Sequence, residues 1–415
     1  MYQKSILPNG IRVLSECLPY VKSVTVGVWL GSGSRSEESY NHGISHFIEH
    51  LMFKGTEKRS AKDIAEIVDA VGGQLNAFTA KEHTCFYMKV LDTHLELAID
   101  VISDMLLNSK FSDQDIERER EVILEELSMY EDTPDELIHD LHMEEVWPGH
   151  QLGQSIIGTA DSIQKIDRSA ILDYYNRFYT PDNLVIAAAG NVKHDHLVSL
   201  AEQYFGKLSG SKYKIKVNSP VFTLSNKIHQ KATEQVHLCL GTDGINQESP
   251  DIYAFHIVNN LLGGGISSRL FQSIREEKGL AYSVYSYQTN YSDGGLLTIY
   301  AGTRPSNVEQ VLHLILNTIT DLKTNGLTEA ELTRVKEQLK GSLLLGLESS
   351  SSRMSRIGKM EIALGKYVPL DEVVAKIDQT TRTDVATVID NIFNENHRCL
   401  TTLGPVDKIV TPINF

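Results

Sequence analysis

Apolar positions recur along this chain at two periods, and the changes between them mark out its elements. The first residues read as strand, turn and strand about Pro8-Asn9-Gly10. Beyond Ser23, VTVGVWL is rich in β-branched residues, as a buried strand requires, and a polar loop separates it from an apolar helix over 43–54. A second helix over 61–71 stops at Gly72-Gly73. GGQLNAFTAKEHTCFYMKVL then reads as a hairpin turning near Ala80-Lys81-Glu82, with Phe78, Thr79, Thr84, Phe86 and Tyr87 suited to a pleated surface. Helical periodicity returns over 93–107 and again from Asp113, where Ser112 is placed to cap the first-turn amides. Pro134 bounds that helix, because the residue before a proline is pushed out of the helical region. Helices over 136–146 and 171–178 and the strand NLVIAAAGNV complete the first half.

Residues 206–220, GKLSGSKYKIKVNSP, are polar, basic and punctuated by Gly, Ser and Pro, the composition of an interdomain linker. The cut gives one domain over 1–210 and another over 221–415. The two halves echo each other: Gly31, Glu38, Ser39 and His46 are matched at one constant offset by Gly241, Glu248, Ser249 and His256. Each set follows an apolar strand and leads into an apolar helix. Duplication of one module accounts for this, and predicts an α+β fold of two tandem homologous αβ modules, each a mostly antiparallel sheet flanked by helices. At equivalent helix positions the first half reads HFIEH and the second HIVNN, so the second domain lacks the charged set.

Composition narrows the functional classes. A chain of 415 residues exceeds what one core usually serves, in keeping with two domains. Its net charge of −15 lacks the basic footprint that nucleic acid demands; an acidic surface either favours cationic ligands, basic peptides among them, or is simply a solvated exterior. Cys17, Cys85, Cys239 and Cys399 lie far apart without C-x-x-C spacing, so they are expected as buried, reduced thiols. No export signal is visible and no apolar run approaches the ~20 residues that span a bilayer, so a cytoplasmic protein without membrane association is expected.

The chemistry concentrates in the helix over 43–54. At 100° per residue, His46, Glu49 and His50 fall within one arc of about 100° and can converge on a point. Two imidazoles at i and i+4 suit zinc, and a carboxylate between them reaches a water beside the ion. H-x-x-E-H is the inverse of the H-E-x-x-H zinc motif. Ile44, Phe47, Ile48, Leu51, Met52 and Phe53 make the rest of the helix apolar, so it is no solvated helix, and charged groups on it need a partner that a divalent cation supplies. The helix from Asp113 offers a third ligand. Glu119 and Glu126 lie two turns apart on one face beside Val122 and Ile123, and periodicity does not choose between them. Gly263-Gly264-Gly265 lacks the Gly-Lys-Ser/Thr of a phosphate loop and reads as a flexible connection. His42, His83, His139 and His142 are further candidates by residue type alone, each more simply a surface or core histidine.

GISHFIEHLMFKGT together with EREVILEE, which ends at Glu126, resembles the pitrilysin family of zinc metallopeptidases, the inverzincins. Within it the chain is most similar to the mitochondrial processing peptidase β-subunit and its bacterial relatives, over essentially its whole length. The resemblance implies one zinc ion per chain on His46, His50 and Glu126, Glu49 as the base that activates water, and Glu119 supporting the site from behind. RLFQSIREEKGLAYSVYS resembles the family segment whose arginine and tyrosine contact substrate, here Arg275 and Tyr282. Asn76 and Ala77 match substrate-contact positions on a strand whose edge would take up an extended peptide. The implied activity is hydrolysis of extended, unfolded peptides or presequences, as a processing peptidase. The implied assembly is a homodimer closing a chamber, with Arg275 and Tyr282 of one chain facing the zinc of the other. The competing expectation is a non-catalytic core-type scaffold subunit of the same family, and the intact His46, Glu49, His50 and Glu126 set weighs against it.

Overall fold

In the computed structural model, which describes residues 1–211, 213, 218–394 and 397–412, the strand-like runs of the first half form one sheet. Its members are β1 (Tyr2–Ile6), β2 (Arg12–Cys17), β3 (Ser23–Leu30), β4 (Gln74–Thr79), β5 (Thr84–Leu91) and β6 (Leu184–Gly190), in the order β1-β2-β6-β3-β5-β4. Neighbours are antiparallel except β2 and β6. β3 and β6 lie inside the sheet and are covered on both faces, which is why they read as unbroken apolar runs. The second sheet comprises β7 (Ser225–His229), β8 (Val236–Asp243), β9 (Ala281–Asn290), β10 (Gly295–Thr303) and β11 (Cys399–Leu403), ordered β7-β11-β8-β10-β9, with only β7 and β11 parallel. Without β1, the first order becomes the second strand for strand, parallel pair included. That is the signature of duplication. Residues 212 and 214–217 of the segment read as a linker lie outside the described residues.

The helices are α1 (Ile44–Met52), α2 (Ala61–Ala70), α3 (Leu95–Asn108), α4 (Asp113–Glu131), α5 (Pro134–Val146), α6 (Ala160–Lys165), α7 (Arg168–Phe178) and α8 (His194–Phe205) in the first half of the chain. They continue with α9 (Ile252–Gly263), α10 (Val308–Asn325), α11 (Glu329–Gly346), α12 (Ser350–Leu364), α13 (Leu370–Gln379) and α14 (Arg382–Ile392). α5 starts two residues earlier than its periodicity suggests, since Pro134 takes the first helical position, where its missing N–H costs nothing. Residues 271–276, which carry Arg275, make a π-helical turn. The triple glycine closes α9, with Gly264 as its C-cap. Cys85, Cys239 and Cys399 are buried free thiols as expected, whereas Cys17 is only half-buried. Among the described residues no helix is long and apolar enough to cross a membrane.

The compact units depart from the linear cut at 206–220. One contains Met1–Ser128, Ser155–Val217 and Leu345–Tyr367; the other contains Met129–Gln154, Asn218–Leu344 and Val368–Phe415. In the first unit, one face of the sheet carries the main core with α1, α3 and α8, and the opposite face is closed by α12 from far along the chain. α12 is fastened by Lys4 to Glu361 at 2.7 Å, Thr25 to Ser350 at 2.9 Å, and the Trp29 indole N–H to Met354 Sδ at 3.3 Å. In the second unit, α5 lies against β8 and β11 in the corresponding way, burying Ile138, His142 and Val146.

Close packing revises one sequence match. Gly190 pairs with Val24, and a Cβ on Gly190 would come within 2.7 Å of Val24 Cα; a Cβ on Gly404 would come within 3.0 Å of Val236 Cα. Both glycines have positive φ, 132° and 146°. Equal steps from Val24 and Val236 reach Trp29 and Gly241, so Gly241 answers Trp29 in the strand, not Gly31. The volumes are exchanged accordingly. Trp29 fills the space over Gly358 of α12, where a Cβ would lie 2.3 Å from its indole nitrogen, while His142 of α5 fills the space over Gly241, at 2.3 Å from Nε2. The large residue sits on the sheet in one unit and on the covering helix in the other.

Candidate metal centre

α1 spans nine residues and has no side-chain cap of its own. Gly43 holds the N-cap position at φ 92°, and a Cβ there would lie 2.4 Å from Ile157 O, so only glycine fits. Glu37 supplies the missing acceptor: Oε2 accepts the Gly43 N–H at 2.8 Å and Oε1 accepts the Ser45 N–H at 2.9 Å. A carboxylate suits the positive end of a helix, although burial pushes this carboxyl up to about 7 against those two bonds. Ile44, Phe47, Ile48, Leu51 and Met52 are buried, each contributing about 1.5–3 kcal/mol. The remaining face carries His46, Glu49 and His50.

α4 brings the acids to that face. Ser112 caps it as its sequence suggests, accepting the Asp115 N–H at 3.2 Å. Arg120 is buried and donates to Ile166 O at 2.8 Å and to Ile163 O at the end of α6, with its guanidinium 5.7 Å from the Phe47 ring centroid. These bonds fix how α4 is rotated against α1. Ile123 is buried, but Val122, expected to face inward with it, is 49% exposed: the buried face is set by Ile116, Glu119, Arg120 and Ile123. Glu119 is 5% exposed and Glu126 is 43% exposed.

His46 Nε2 lies 3.9 Å from Glu126 Oε1, and His50 Nε2 lies 3.5 Å from Glu126 Oε2. One donor atom from each of the three residues falls within 4.8 Å of the others. Ligands tetrahedrally placed about zinc sit about 3.4 Å apart, so the set fits that ion. Burial first, and then His50, push His46 down to about 4, leaving a neutral imidazole with a lone pair to give; its buried Nδ1 has no partner among the described residues. Glu119 Oε2 meets the other nitrogen of His50, Nδ1, at 3.3 Å, and Glu119 Oε1 accepts from Lys54 Nζ at 2.7 Å. Glu49 accepts from the Thr79 hydroxyl at 2.5 Å. Burial raises the Glu49 carboxyl, and the Thr79 bond and His50 work against that rise.

Thr79 ends β4, which among the described residues pairs only with β5 and so leaves one edge of the sheet open. Asn76 and Ala77 lie on this strand, with the Asn76 side-chain oxygen accepting the Ala77 N–H at 2.8 Å. Arg275 and Tyr282 belong to the second unit and form a pair of their own. The guanidinium stacks 4.8 Å from the Tyr282 ring and 4.7 Å from the Phe271 ring, and Tyr282 is 78% exposed. The remaining histidines go elsewhere: His42 to Ser155 O at 2.6 Å, His83 beside Trp29 and Phe78, His139 to Tyr285 and Tyr287, and His142 to Thr401. Among the described residues no other cluster offers three such donors. In the second unit His256 contacts Gln288, with Asn259 and Asn260 where the first has Glu49 and His50. Glu37, Lys54 and Arg120 were not singled out from sequence, and Thr79 only as a strand residue. Periodicity fixes none of them, because Glu37, Lys54 and Thr79 lie outside α1 and the partners of Arg120 lie at the end of α6.

Known proteins resemble this chain in sequence and in fold. A model described as insulinase, peptidase family M16, matches residues 12–160, and one described as the peptidase M16 inactive domain matches residues 165–339. An uncharacterized zinc protease of Bacillus subtilis is 44% identical over 397 residues, covering 96% of this chain and 97% of that protein. A protease from Helicobacter pylori has the same fold, with a TM-score of 0.91 at 23% identity, covering 98% of this chain and 99% of the other. A peptidase M16 inactive domain from Pseudomonas fluorescens matches as closely in fold, with a TM-score of 0.91 at 21% identity over 99% of this chain and 100% of that one.

Proposed function

Because the chain belongs to the M16 family of peptidases, we propose that it is an endopeptidase working with one zinc ion per chain, cutting extended, unfolded peptides or presequences in the manner of a processing peptidase. The observation that carries this reading is the meeting of His46, His50 and Glu126 within 4.8 Å, with Glu49 on the same helix face. Those three residues would hold the ion. When bound, zinc supplies Lewis acidity toward water and toward a peptide carbonyl.

The protein's own residues do the rest. Glu49, through the oxygen that Thr79 does not engage, takes the proton from the attacking water and later delivers it to the leaving amine. Burial raises this carboxyl, which strengthens it as a base toward the water's proton. Glu119 holds the His50 ring through Nδ1, so that Nε2 keeps its lone pair for the ion. The open edge of β4 takes the substrate as an added strand, with the Ala77 N–H leaving the Asn76 side chain for a substrate carbonyl. Recognition through main-chain bonds selects an extended conformation more than a sequence. Arg275 anchors substrate, and Tyr282 donates to the developing oxyanion. Two copies pair, each offering Arg275 and Tyr282 to its partner's zinc site; sedimentation should show a dimer, and full activity from a monomer would refute the pairing.

Replacing Glu49 with Gln tests the chemistry. Zinc content should stay at wild-type level while peptide cleavage falls by about 10²–10⁴-fold. Unchanged cleavage would remove Glu49 from the mechanism. If neither wild type nor variant cleaves any peptide of a mixed library, the non-catalytic scaffold reading takes over.

A further inference from the structure

We propose that Lys54 is a positioning residue for the metal centre, one that tethers Glu119 so that Glu119 in turn holds His50 in its metal-binding orientation. The inference rests on reading His46, His50 and Glu126 as the zinc ligands. Glu119 is nearly inaccessible to water, so its two oxygens must find partners in the protein. They are divided between two groups. Oε1 accepts from Lys54 Nζ at 2.7 Å, and Oε2 faces His50 Nδ1 at 3.3 Å. The shorter, charge-assisted bond is the one to Lys54, so the lysine sets where the carboxylate lies and the imidazole follows it.

Lys54 is itself anchored before it reaches Glu119. Its backbone N–H continues the end of α1 by donating to Leu51 O at 3.0 Å. Gly55 follows at φ 122°, a conformation that needs glycine, and Thr56 then closes a turn with its N–H on Arg59 O at 2.7 Å. That turn is pinned to α3, because Thr56 Oγ1 and an Arg59 Nη each donate to Asp104 Oδ2 at 2.7 Å. The lysine therefore leaves a rigid corner at the end of the ligand-bearing helix, and its ammonium arrives opposite α4 without a search. Its side chain keeps 35% of its exposure, so its removal leaves the core intact. Carboxylates that orient a ligand imidazole are typically worth 10–100-fold in metal affinity. Lys54 acts through one of them.

The test is zinc affinity of the purified protein, stripped of metal and titrated with zinc against a competing chelator. K54M should bind zinc about tenfold more weakly than wild type. K54R, which keeps the charge, should recover most of the loss. In an E119A background K54M should have no further effect, since the side chain it acts through is then gone. Thermal melting of the metal-free proteins reports folding, and K54Q replaces K54M if the latter melts early. Wild-type affinity in K54M, or an equal loss with and without E119A, overturns the inference and leaves the zinc-peptidase reading standing. A wild-type protein that takes up no zinc sinks that reading instead.

Discussion

Glu37 performs at the start of α1 the task that Ser or Asp at the N-cap performs in other helices, and does so because Gly43 has no side chain to offer. Glu37→Ala should therefore cost about 1–2 kcal/mol in urea unfolding, the loss of a buried cap, with zinc binding weakened alongside. A variant as stable as wild type would show that water replaces the carboxylate. Buried imidazoles make a second prediction at this scale. Burial, reinforced by His139, pushes His142 down to about 3, and burial pushes His256 down to about 4. The unfolded chain binds their protons at the ordinary 6.5, so stability is complete above that pH and is lost as pH falls toward the folded values. Each contributes up to about 1.4 kcal/mol per pH unit in that window. Glu37 works in the opposite sense: its raised carboxyl keeps a proton in the folded state between 4.5 and about 7, so acid there favours folding. His46 and His83, also pushed down to about 4 with burial as the main cause, act in the same sense as His142 and His256, so the imidazoles outweigh the Glu37 carboxyl and the urea midpoint of the metal-free protein should drop from pH 7 to pH 5. His142→Gln should flatten that slope; an unchanged slope would locate the acid sensitivity elsewhere.

Among the elements, the relation of α1 to α4 matters most, and Arg120 sets it. Its bonds to two carbonyls at the end of α6 are charge-assisted and buried, each worth about 1.5–3 kcal/mol. Arg120→Met should lower the melting temperature and, by releasing the rotation of α4, reduce cleavage more than the stability loss alone explains. Cleavage unchanged in the folded variant would mean that Glu119 and Glu126 are held by α1 itself. The elements nearest the site were legible because period and chemistry agree in them. HFIEH announces its own face, the β-branched run of β3 announces burial, and Ser112 announces the start of α4. The rotation of α4 was less legible. Glu119 and Val122 lie on neighbouring stripes, and only packing against Phe47 and α6 decides that Glu119 goes inside while Val122 stays half in water. The π-helical turn carrying Arg275 gave no signal either, since its residues suit an ordinary helix equally well.

At the scale of the molecule, duplication was visible in strand–helix order and in HFIEH against HIVNN, but the exchange of covering helices was not. Nothing local in residues 350–364 says which sheet they serve; that depends on Glu361 meeting Lys4 and on Gly358 making room for Trp29. A fragment ending at the apparent boundary near 210 should therefore fail to fold. It would expose Leu14, Trp29, Cys85 and Val185, and should bind a hydrophobic dye and aggregate, whereas adding residues 345–367 in trans should rescue it. A well-folded 1–210 fragment would disprove this dependence. The same exchange imposes an order on biosynthesis. Every residue of the His46, His50 and Glu126 cluster leaves the ribosome long before α12 does. At about 5–20 residues per second, on the order of ten seconds or more separates the end of β6 from the helix that must cover it. Throughout that interval the nascent chain carries a bare apolar sheet, a natural target for chaperones, and the unit that bears the ligands completes its folding only once residues 350–364 have emerged.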